Sequence, residues 1–193
     1  MRLHAGRHGE TTENREKRIL GRSPGHLTED GIAKAAVLAQ STVGLGIDFV
    51  LASPLQRSVD TCEPMPKAKP GLLVAYTPLL EERKFGSWEG ELRKSVDWQG
   101  LWESPDEPEL SARIGAEPLD QFTRRIARVV LNVHELFGDT DKNVLLMAHI
   151  GVLNRLNYLA DPAAFEYIEY PNAEAVEFDV DALVRNSREL LGS

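Results

Sequence analysis

The sequence has very little cysteine: Cys62 is the one thiol in 193 residues. A single thiol cannot form an internal disulfide, and it has no second thiol for a CxxC metal or redox motif. We therefore expect Cys62 to be a packing residue. The scarcity of cysteine also predicts a protein of a reducing compartment, the cytoplasm.

The chain also lacks long apolar runs. No segment approaches the roughly 18 uninterrupted apolar residues that a membrane-spanning helix needs. The N-terminal stretch MRLHAGRHGE has no apolar signal-peptide core. These absences predict no membrane contact.

Basic residues are outnumbered: 22 Lys and Arg face 30 Asp and Glu, a formal net charge of −8. Nucleic-acid and anionic-membrane partners need a basic surface, so we expect neither. The sequence also has no HExxH, no paired cysteines and no dense aspartate cluster, which predicts neither a metal nor another cofactor. An anionic ligand would need a local cluster of arginines.

What remains is the composition of an ordinary globular domain. Hydrophobic residues make up 42 % of the chain and charged residues 27 %, and the length suits one domain. No repeat, low-complexity tract or long linker divides the sequence. We expect a single domain over residues 1–193.

Strand-like and helix-like segments alternate. Strands are predicted over Arg2–Ala5, Ile47–Ala52, Leu72–Tyr76, Val144–Ala148 and Ala175–Val180. Helices are predicted from the Thr28 cap to Gly44, from Pro54 through Thr61, and over Pro118–Phe137, the last with Leu119, Phe122, Ile126, Val129, Val133 and Leu136 inward and Arg124, Arg125 and Arg128 toward water. The alternation favours a three-layer α/β/α sandwich with a mostly parallel sheet.

Unusual polar residues follow three of these strands directly: Arg7-His8, Ser53 to Arg57, and His149. In a parallel sheet they converge at one edge, where ligands bind. Two arginines and two histidines there make a positively charged pocket. The guanidinium group of arginine matches the geometry of phosphate oxygens, so a phosphoryl group is the expected ligand. Gly9 and Gly151 would let backbone amides approach it.

Each residue also has an ordinary interpretation. Arg7-His8 and His149 alone could be loop residues, and Arg57 could pair with Asp60. Glu82 could be a solvated charge. The other residues that we singled out are interpreted as packing, structural or surface residues: Trp88, His4, His26 and His134.

Four motifs that occur in a fixed order favour the functional interpretation of these residues over the ordinary one. They are Arg7-His8-Gly9-Glu10-Thr11 with Asn14, Arg18, Gly21 and Leu27-Thr28-x-x-Gly31; Ser53-Pro54-Leu55-x-Arg57 with Thr61; Leu80-x-Glu82-x-x-Phe85-Gly86-x-Trp88-Glu89-Gly90; and His149-x-Gly151-Val152. Together they resemble the histidine phosphatase superfamily, also called the phosphoglycerate mutase-like family. The resemblance covers most of the chain.

The resemblance implies a role for each matching residue. His8 would be the nucleophile that becomes phosphorylated, Arg7 and Arg57 would hold the phosphoryl oxygens, and His149 would complete the pocket. Glu82 would protonate the leaving group and then activate water.

The resemblance also implies how the substrate is bordered. Asn14, the backbone around Gly21 and the amide of Ile150 would lie beside a small phosphorylated substrate. The family often has glycine where Ile150 stands, which predicts a narrower pocket. A small helical cap, approximately residues 91–117, would select the substrate, and no metal would be required.

Within the family, Phe85-Gly86-Ser87-Trp88-Glu89-Gly90 is similar to the phosphatase branches. Mutases have tyrosine-glycine there and a longer basic insertion, whereas Asp97–Glu109 is short and acidic. We therefore expect a phosphomonoester phosphatase. A cofactor-dependent mutase is the alternative, and an inactive phospho-ligand binding protein is a third. The sequence leaves the physiological substrate and the oligomeric state open.

Overall fold

The computed structural model describes residues 1–104 and 106–192. Within these residues, strands β1 to β5 span Arg2–Arg7, Phe49–Ala52, Leu73–Tyr76, Asn143–Ala148 and Ala175–Phe178. Helices α1 to α9 span Thr12–Arg15, Glu29–Gly44, Gln56–Cys62, Met65–Ala68, Gly100–Glu103, Glu107–Ile114, Leu119–Phe137, Ile150–Ala160 and Val180–Leu191. Short 3₁₀ turns occupy Pro78–Leu80, Gly86–Trp88 and Arg93–Ser95.

The strands form one sheet in the order β3-β2-β4-β1-β5. All neighbouring pairs are parallel except β1 with β5, which is antiparallel. The central strand β4 is buried along its whole length. A continuous apolar strand of this kind is typical of a sheet covered on both faces.

Alternate residues of β4 serve two separate cores. Val144, Leu146 and Ala148 pack with residues of α7, α8 and α9. Leu145 and Met147 pack with residues of α2, α3 and α4. The predicted three-layer α/β/α sandwich with a mostly parallel sheet is therefore confirmed.

Cys62 lies at the end of α3 inside the second core, as expected for a packing residue. Burial raises the pKa of its thiol to about 12. The side chain is therefore a neutral thiol at physiological pH.

The helix predicted from Pro54 begins two residues later, at Gln56. Leu55 is extended, with φ −65° and ψ 133°, and its N–H donates to Ser53 Oγ at 3.3 Å. This local hydrogen bond holds the chain out of the helical conformation, so the prediction that Pro54 sits in the first turn is wrong.

Strand boundaries also differ from the prediction: β2, β3 and β4 begin at Phe49, Leu73 and Asn143, and β1 and β5 end elsewhere than predicted. β1 runs to Arg7 rather than Ala5, because β4 pairs with it up to its last residue. The final strand ends at Phe178, because the Asp179 side chain accepts a hydrogen bond from Ala182 N–H and caps α9.

The apolar stripe of α7 is mostly as predicted, since Phe122, Ile126, Val129 and Val133 are buried. Leu136 is not part of it, because 70 % of its surface is exposed near the end of the helix. Arg125 is buried rather than facing water. Its partners, described with the site below, explain why a cation is retained there.

Between the third motif and α7 the chain forms short helices. The buried guanidinium of Arg83 holds two of these helices in place. It donates hydrogen bonds to the Leu101 carbonyl in α5, and to Ser111 Oγ at 3.0 Å and the Glu107 carboxylate in α6. The predicted cap, approximately 91–117, covers this region, and its Pro105 lies outside the described residues. The boundaries of the cap and of a single domain stay predictions.

Gly86 allows a close approach between the third motif and this region. Its φ is +58°, and a Cβ added there would lie 1.9 Å from the carbonyl oxygen of Ile114. Gly115 also has a positive φ, +71°, but an added Cβ would meet no heavy atom within 4 Å. A side chain added at Gly115 would therefore cause backbone strain alone, whereas one added at Gly86 would cause both backbone strain and a steric clash.

We expect Gly86→Ala to lower the free energy of unfolding by about 3 kcal/mol, from left-handed strain plus overpacking. Gly115→Ala, the matched control, should cost only about 1 kcal/mol from the strain. Urea unfolding measures both. Equal losses would show that the contact with Ile114 relaxes freely.

Candidate active site

The carboxyl ends of β2, β4 and β1 lie side by side, and Ser53, His149 and His8 follow these strands directly. The sheet ladder continues into them, because His8 N–H donates to the Ala148 carbonyl at 3.0 Å and Ser53 N–H to the Met147 carbonyl at 2.9 Å. The structure thus brings together the polar residues that the sequence places after strands.

The ring of His8 is buried and its tautomer is fixed by a backbone carbonyl. Nδ1 lies 2.7 Å from the carbonyl oxygen of Gly9, which can only accept, so Nδ1 carries the proton. Nε2 then holds a lone pair, and Arg57 Nε donates to it at 3.2 Å. Nε2 is therefore the nitrogen available for nucleophilic attack.

The surroundings of His8 keep the imidazole neutral. Burial is the largest cause, and the charges of Arg57 and Arg7 add to it, so the pKa of His8 lies well below its ordinary value. A neutral imidazole is the nucleophilic form.

Arg57, on α3, is 1 % exposed and does not pair with Asp60. Asp60 instead accepts from Gln56 at 2.6 Å. Besides His8, Arg57 donates to the carbonyl oxygens of Gly21 at 2.7 Å and Ser23 at 3.1 Å. Burial lowers its pKa to about 10, so it stays charged at neutral pH.

Arg7 is the second buried cation. Its Nη1 donates to the carbonyl oxygen of Tyr170 at 2.7 Å, and its Nε has no partner. Burial lowers its pKa from the usual arginine value. Within the described part of the chain, neither Arg7 nor Arg57 forms an ion pair with a carboxylate. Their charge is available to an anionic ligand.

His149 lies beside His8, with 5.2 Å between the ring centroids, and is fully buried. Its Nε2 is 2.8 Å from Ser53 Oγ, and its Nδ1 has no partner. Burial, then Arg57, holds the pKa of His149 well below its ordinary value. His149 thus lies beside His8, but it is not among the residues that line the cavity described below.

Glu82 is 5 % exposed and is not the solvated charge that one interpretation suggested. Its Oε2 accepts from Gly151 N–H at 3.0 Å and its Oε1 from Arg83 N–H at 2.8 Å. A Cβ on Gly151 would lie 2.2 Å from Oε1. Gly151 is needed because the carboxylate docks on the first turn of α8.

Gly9 also differs from the expectation that its amide serves a ligand. Its N–H donates to Thr61 Oγ1 at 2.9 Å, and an added Cβ would lie 2.8 Å from the Gly31 carbonyl oxygen. Gly9 therefore permits the contact between the loop that follows β1 and α2.

Arg22 and Arg125, which the sequence did not point to, fix the backbone at Glu82. The Glu82 carbonyl accepts from Arg22 at 3.1 Å and from Arg125 at 3.0 Å. Both arginines also bond to the carboxylate of Glu117. Arg22 lies in a loop and Arg125 in an amphipathic helix, where arginines are usually exposed to solvent. The sequence therefore could not predict that they hold the Glu82 backbone.

Several of these residues line one cavity. Arg7, His8, Arg57 and Glu82 share its wall with the predicted Asn14, Gly21 and Ile150. Its wall also includes Arg18, Phe85, Arg93, Trp98 and Trp102. Of these, Arg93, Trp98 and Trp102 were missed, because their segment has no pattern that a single sequence reveals. His4, His26 and His134 do not line the cavity.

Among the residues that the structure describes, no group of three or more His, Cys, Asp or Glu side chains is placed to hold a metal ion. No described helix combines the length and the apolar character needed to cross a membrane.

The sheet and this cavity define the class: an α/β protein with an anion pocket, lined by arginine and histidine, at the carboxyl edge of its strands. The family model for the histidine phosphatase superfamily (branch 1) matches residues 3–185. The chain therefore belongs to the histidine phosphatase superfamily.

Its relatives include phosphatases. A probable phosphatase of Schizosaccharomyces pombe is 34 % identical over 160 residues, covering 81 % of this chain and 71 % of that protein. The adenosylcobalamin/alpha-ribazole phosphatase of Escherichia coli is 30 % identical over 165 residues, covering 81 % and 77 %. The crystal structure of a putative alpha-ribazole-5′-P phosphatase from E. coli matches with a TM-score of 0.75 at 26 % identity, over 93 % of this chain and 90 % of that one.

We expect Arg57→Gln to raise the pKa of His8, because it removes the nearest cation while burial still disfavours the imidazolium. NMR titration of the His8 ring measures this shift. Arg128→Gln, an exposed arginine of α7, is the control and should leave the pKa unchanged.

The same depressed pKa sets a direction for stability. The unfolded chain binds a proton at His8 that the folded protein does not, so the free energy of unfolding should fall as pH drops through about 6.5. A wild-type His8 that titrates at the ordinary value would contradict the account of its surroundings.

Proposed function

We propose that the protein is a metal-independent phosphomonoesterase that works in the cytoplasm on a small phosphorylated metabolite through a phosphohistidine at His8. The observation that carries the proposal is the Nε2 lone pair of a buried neutral imidazole beside Arg7 and Arg57, neither of which pairs with a carboxylate among the described side chains. Fixed cations of this kind stabilise the charge that spreads over a transferring phosphoryl group.

In the first step the phosphoryl group enters between the two arginines. His8 Nε2 attacks phosphorus, the N–P bond forms, and the ester P–O bond breaks. The hydrogen bond from Arg57 to Nε2 is exchanged for one to a phosphoryl oxygen. Glu82, in its protonated form, gives its proton to the departing alkoxide. The Nδ1 proton, held by the Gly9 carbonyl, stays on the ring.

In the second step the Glu82 carboxylate takes a proton from water as the oxygen attacks phosphorus. The N–P bond breaks, inorganic phosphate leaves, and His8 returns to its starting tautomer. Splitting one difficult displacement into two easier ones is the advantage of covalent catalysis.

Two features support hydrolysis over mutase chemistry. The phosphatase relatives match 81 % of the chain, and the segment after the third motif is short and acidic. A screen of phosphorylated metabolites, with phosphate release and isomerisation both followed, distinguishes the two reactions.

Rapid quench with ³²P-labelled substrate in EDTA should trap an acid-labile, base-stable phosphoprotein. The label should disappear in His8→Ala, which lacks the attacking nitrogen. Cys62→Ser is the control and should keep it. Label on another residue, or a requirement for a divalent ion, would overturn the proposal.

Glu82→Gln should slow phosphorylation by an alkyl phosphate about 10²–10⁴-fold, the usual contribution of general acid catalysis. The loss with p-nitrophenyl phosphate should be much smaller, because nitrophenolate leaves without a proton. Single-turnover kinetics with both substrates measure the difference.

Glu81→Gln is the matched control for this variant. Glu81 adjoins Glu82 in the chain, yet it pairs with Arg22 at 3.2 Å and does not line the cavity. Glu89 is the other nearby glutamate that could act as the general acid, and it accepts hydrogen bonds from Phe85 N–H and Ser23 Oγ. Glu89→Gln tests that alternative. A selective loss in either control, or equal losses on both leaving groups in Glu82→Gln, would remove Glu82 from the role.

A further inference from the structure

A second cavity of about 370 Å³ lies beside Trp102. Trp102 lines both it and the candidate active site. Arg155, Tyr158 and Phe165 form one part of the wall, and Leu119 is among its apolar residues. The volume falls in the range of small-molecule sites, which are mostly apolar with a few fixed polar groups.

Arg155 is an unusual residue to find in that wall. It is only 4 % exposed, and its Nε and Nη2 have no hydrogen-bond partner. No carboxylate among the described side chains forms an ion pair with it, and the nearby charge of Arg83 is repulsive. Buried charges are normally paired, so the Arg155 guanidinium lacks the counter-ion and hydrogen-bond acceptors that a buried cation usually has.

Aromatic rings surround the guanidinium without satisfying it. Its central carbon lies 4.7 Å from the ring centroid of Phe165, 5.1 Å from Tyr158 and 5.7 Å from Trp102. Such contacts attract a cation, but ring faces accept no strong hydrogen bond. The donors remain free for an oxygen anion.

The free nitrogens decide the shape of that anion. Nε and Nη2 form one edge of the arginine fork, with two parallel N–H bonds that match the two oxygens of a carboxylate. The rings and Leu119 beside it suit an apolar body. The geometry points to a small monocarboxylate with an aromatic or aliphatic body.

The other charges in the cavity favour a monoanion over phosphate. Glu107 is paired with Arg83, and Asp120 with Arg124 at 3.0 Å. Among the described residues Arg155 is the one cation that lines this cavity, whereas a dianion would face both of those carboxylates. One guanidinium balances one carboxylate.

We propose that this cavity binds a monocarboxylate on Arg155, separately from the phosphoryl pocket. The Phe165 ring covers the guanidinium from a segment between α8 and β5 that has no regular secondary structure, and it must move aside for the ligand to reach Nε and Nη2. The site goes beyond the proposed phosphatase activity and does not depend on it.

Isothermal titration of the full-length protein with benzoate tests the site. Wild type should bind one benzoate saturably, and Arg155→Met should bind it at least ~10-fold more weakly. Arg155→Lys, which keeps the charge but not the fork, should also lose affinity. Arg128→Met, the exposed control on α7, should bind as wild type does.

Thermal unfolding separates binding from folding. Benzoate should raise the wild-type midpoint through mass action and leave that of Arg155→Met unmoved. Without benzoate, Arg155→Met should be at least as stable as wild type, since it removes an unpaired buried charge. A destabilised Arg155→Met that still binds benzoate normally would show a purely structural arginine and overturn the proposal.

Two other results would overturn it. They are no saturable benzoate binding to wild type and displacement of benzoate by vanadate. The last would place benzoate in the phosphoryl pocket. Failure of the proposed phosphatase function would instead show as absence of turnover, so the two failures are distinguishable.

Discussion

The buried guanidinium of Arg57 is the contact on which the arrangement of the site depends. It connects His8, the proposed nucleophile at the end of β1, to the carbonyl oxygens of Gly21 and Ser23 in the loop after α1. α3 supplies the guanidinium itself. One rigid fork thus sets three chain segments at fixed distances, and it also keeps His8 neutral by its charge.

The position of the Glu82 carboxylate depends on a second set of contacts. Glu82 reaches α8 only because position 151 is glycine, and its backbone is held by Arg22 and Arg125. None of these contacts needs a ligand. The groups proposed for proton transfer and nucleophilic attack are therefore positioned by the folded protein itself, which avoids reorganisation during the reaction.

The sequence predicted the sheet and the convergence of Arg7, His8, Arg57 and His149, because strand-length apolar runs and ordered motifs are local signals. It did not reveal why Gly9 and Gly151 are glycines, because an added Cβ there would clash with groups distant in the chain. Arg125 was misassigned for the same reason. Its helical position indicated water, while its acceptors lie in another segment.

Ion pairing distinguishes two kinds of buried arginine in this acidic protein. Arg83 and Arg125 each pair with a glutamate, so their charge is neutralised where it stands and their effect is to fix backbone. Arg7, Arg57 and Arg155 are equally buried but have no carboxylate among the described residues. With 30 acidic side chains in the chain, carboxylates are not scarce. Leaving a buried guanidinium unpaired costs free energy that a ligand's negative charge would offset. The same physical criterion therefore supports both proposals, the phosphoryl pocket and the carboxylate site.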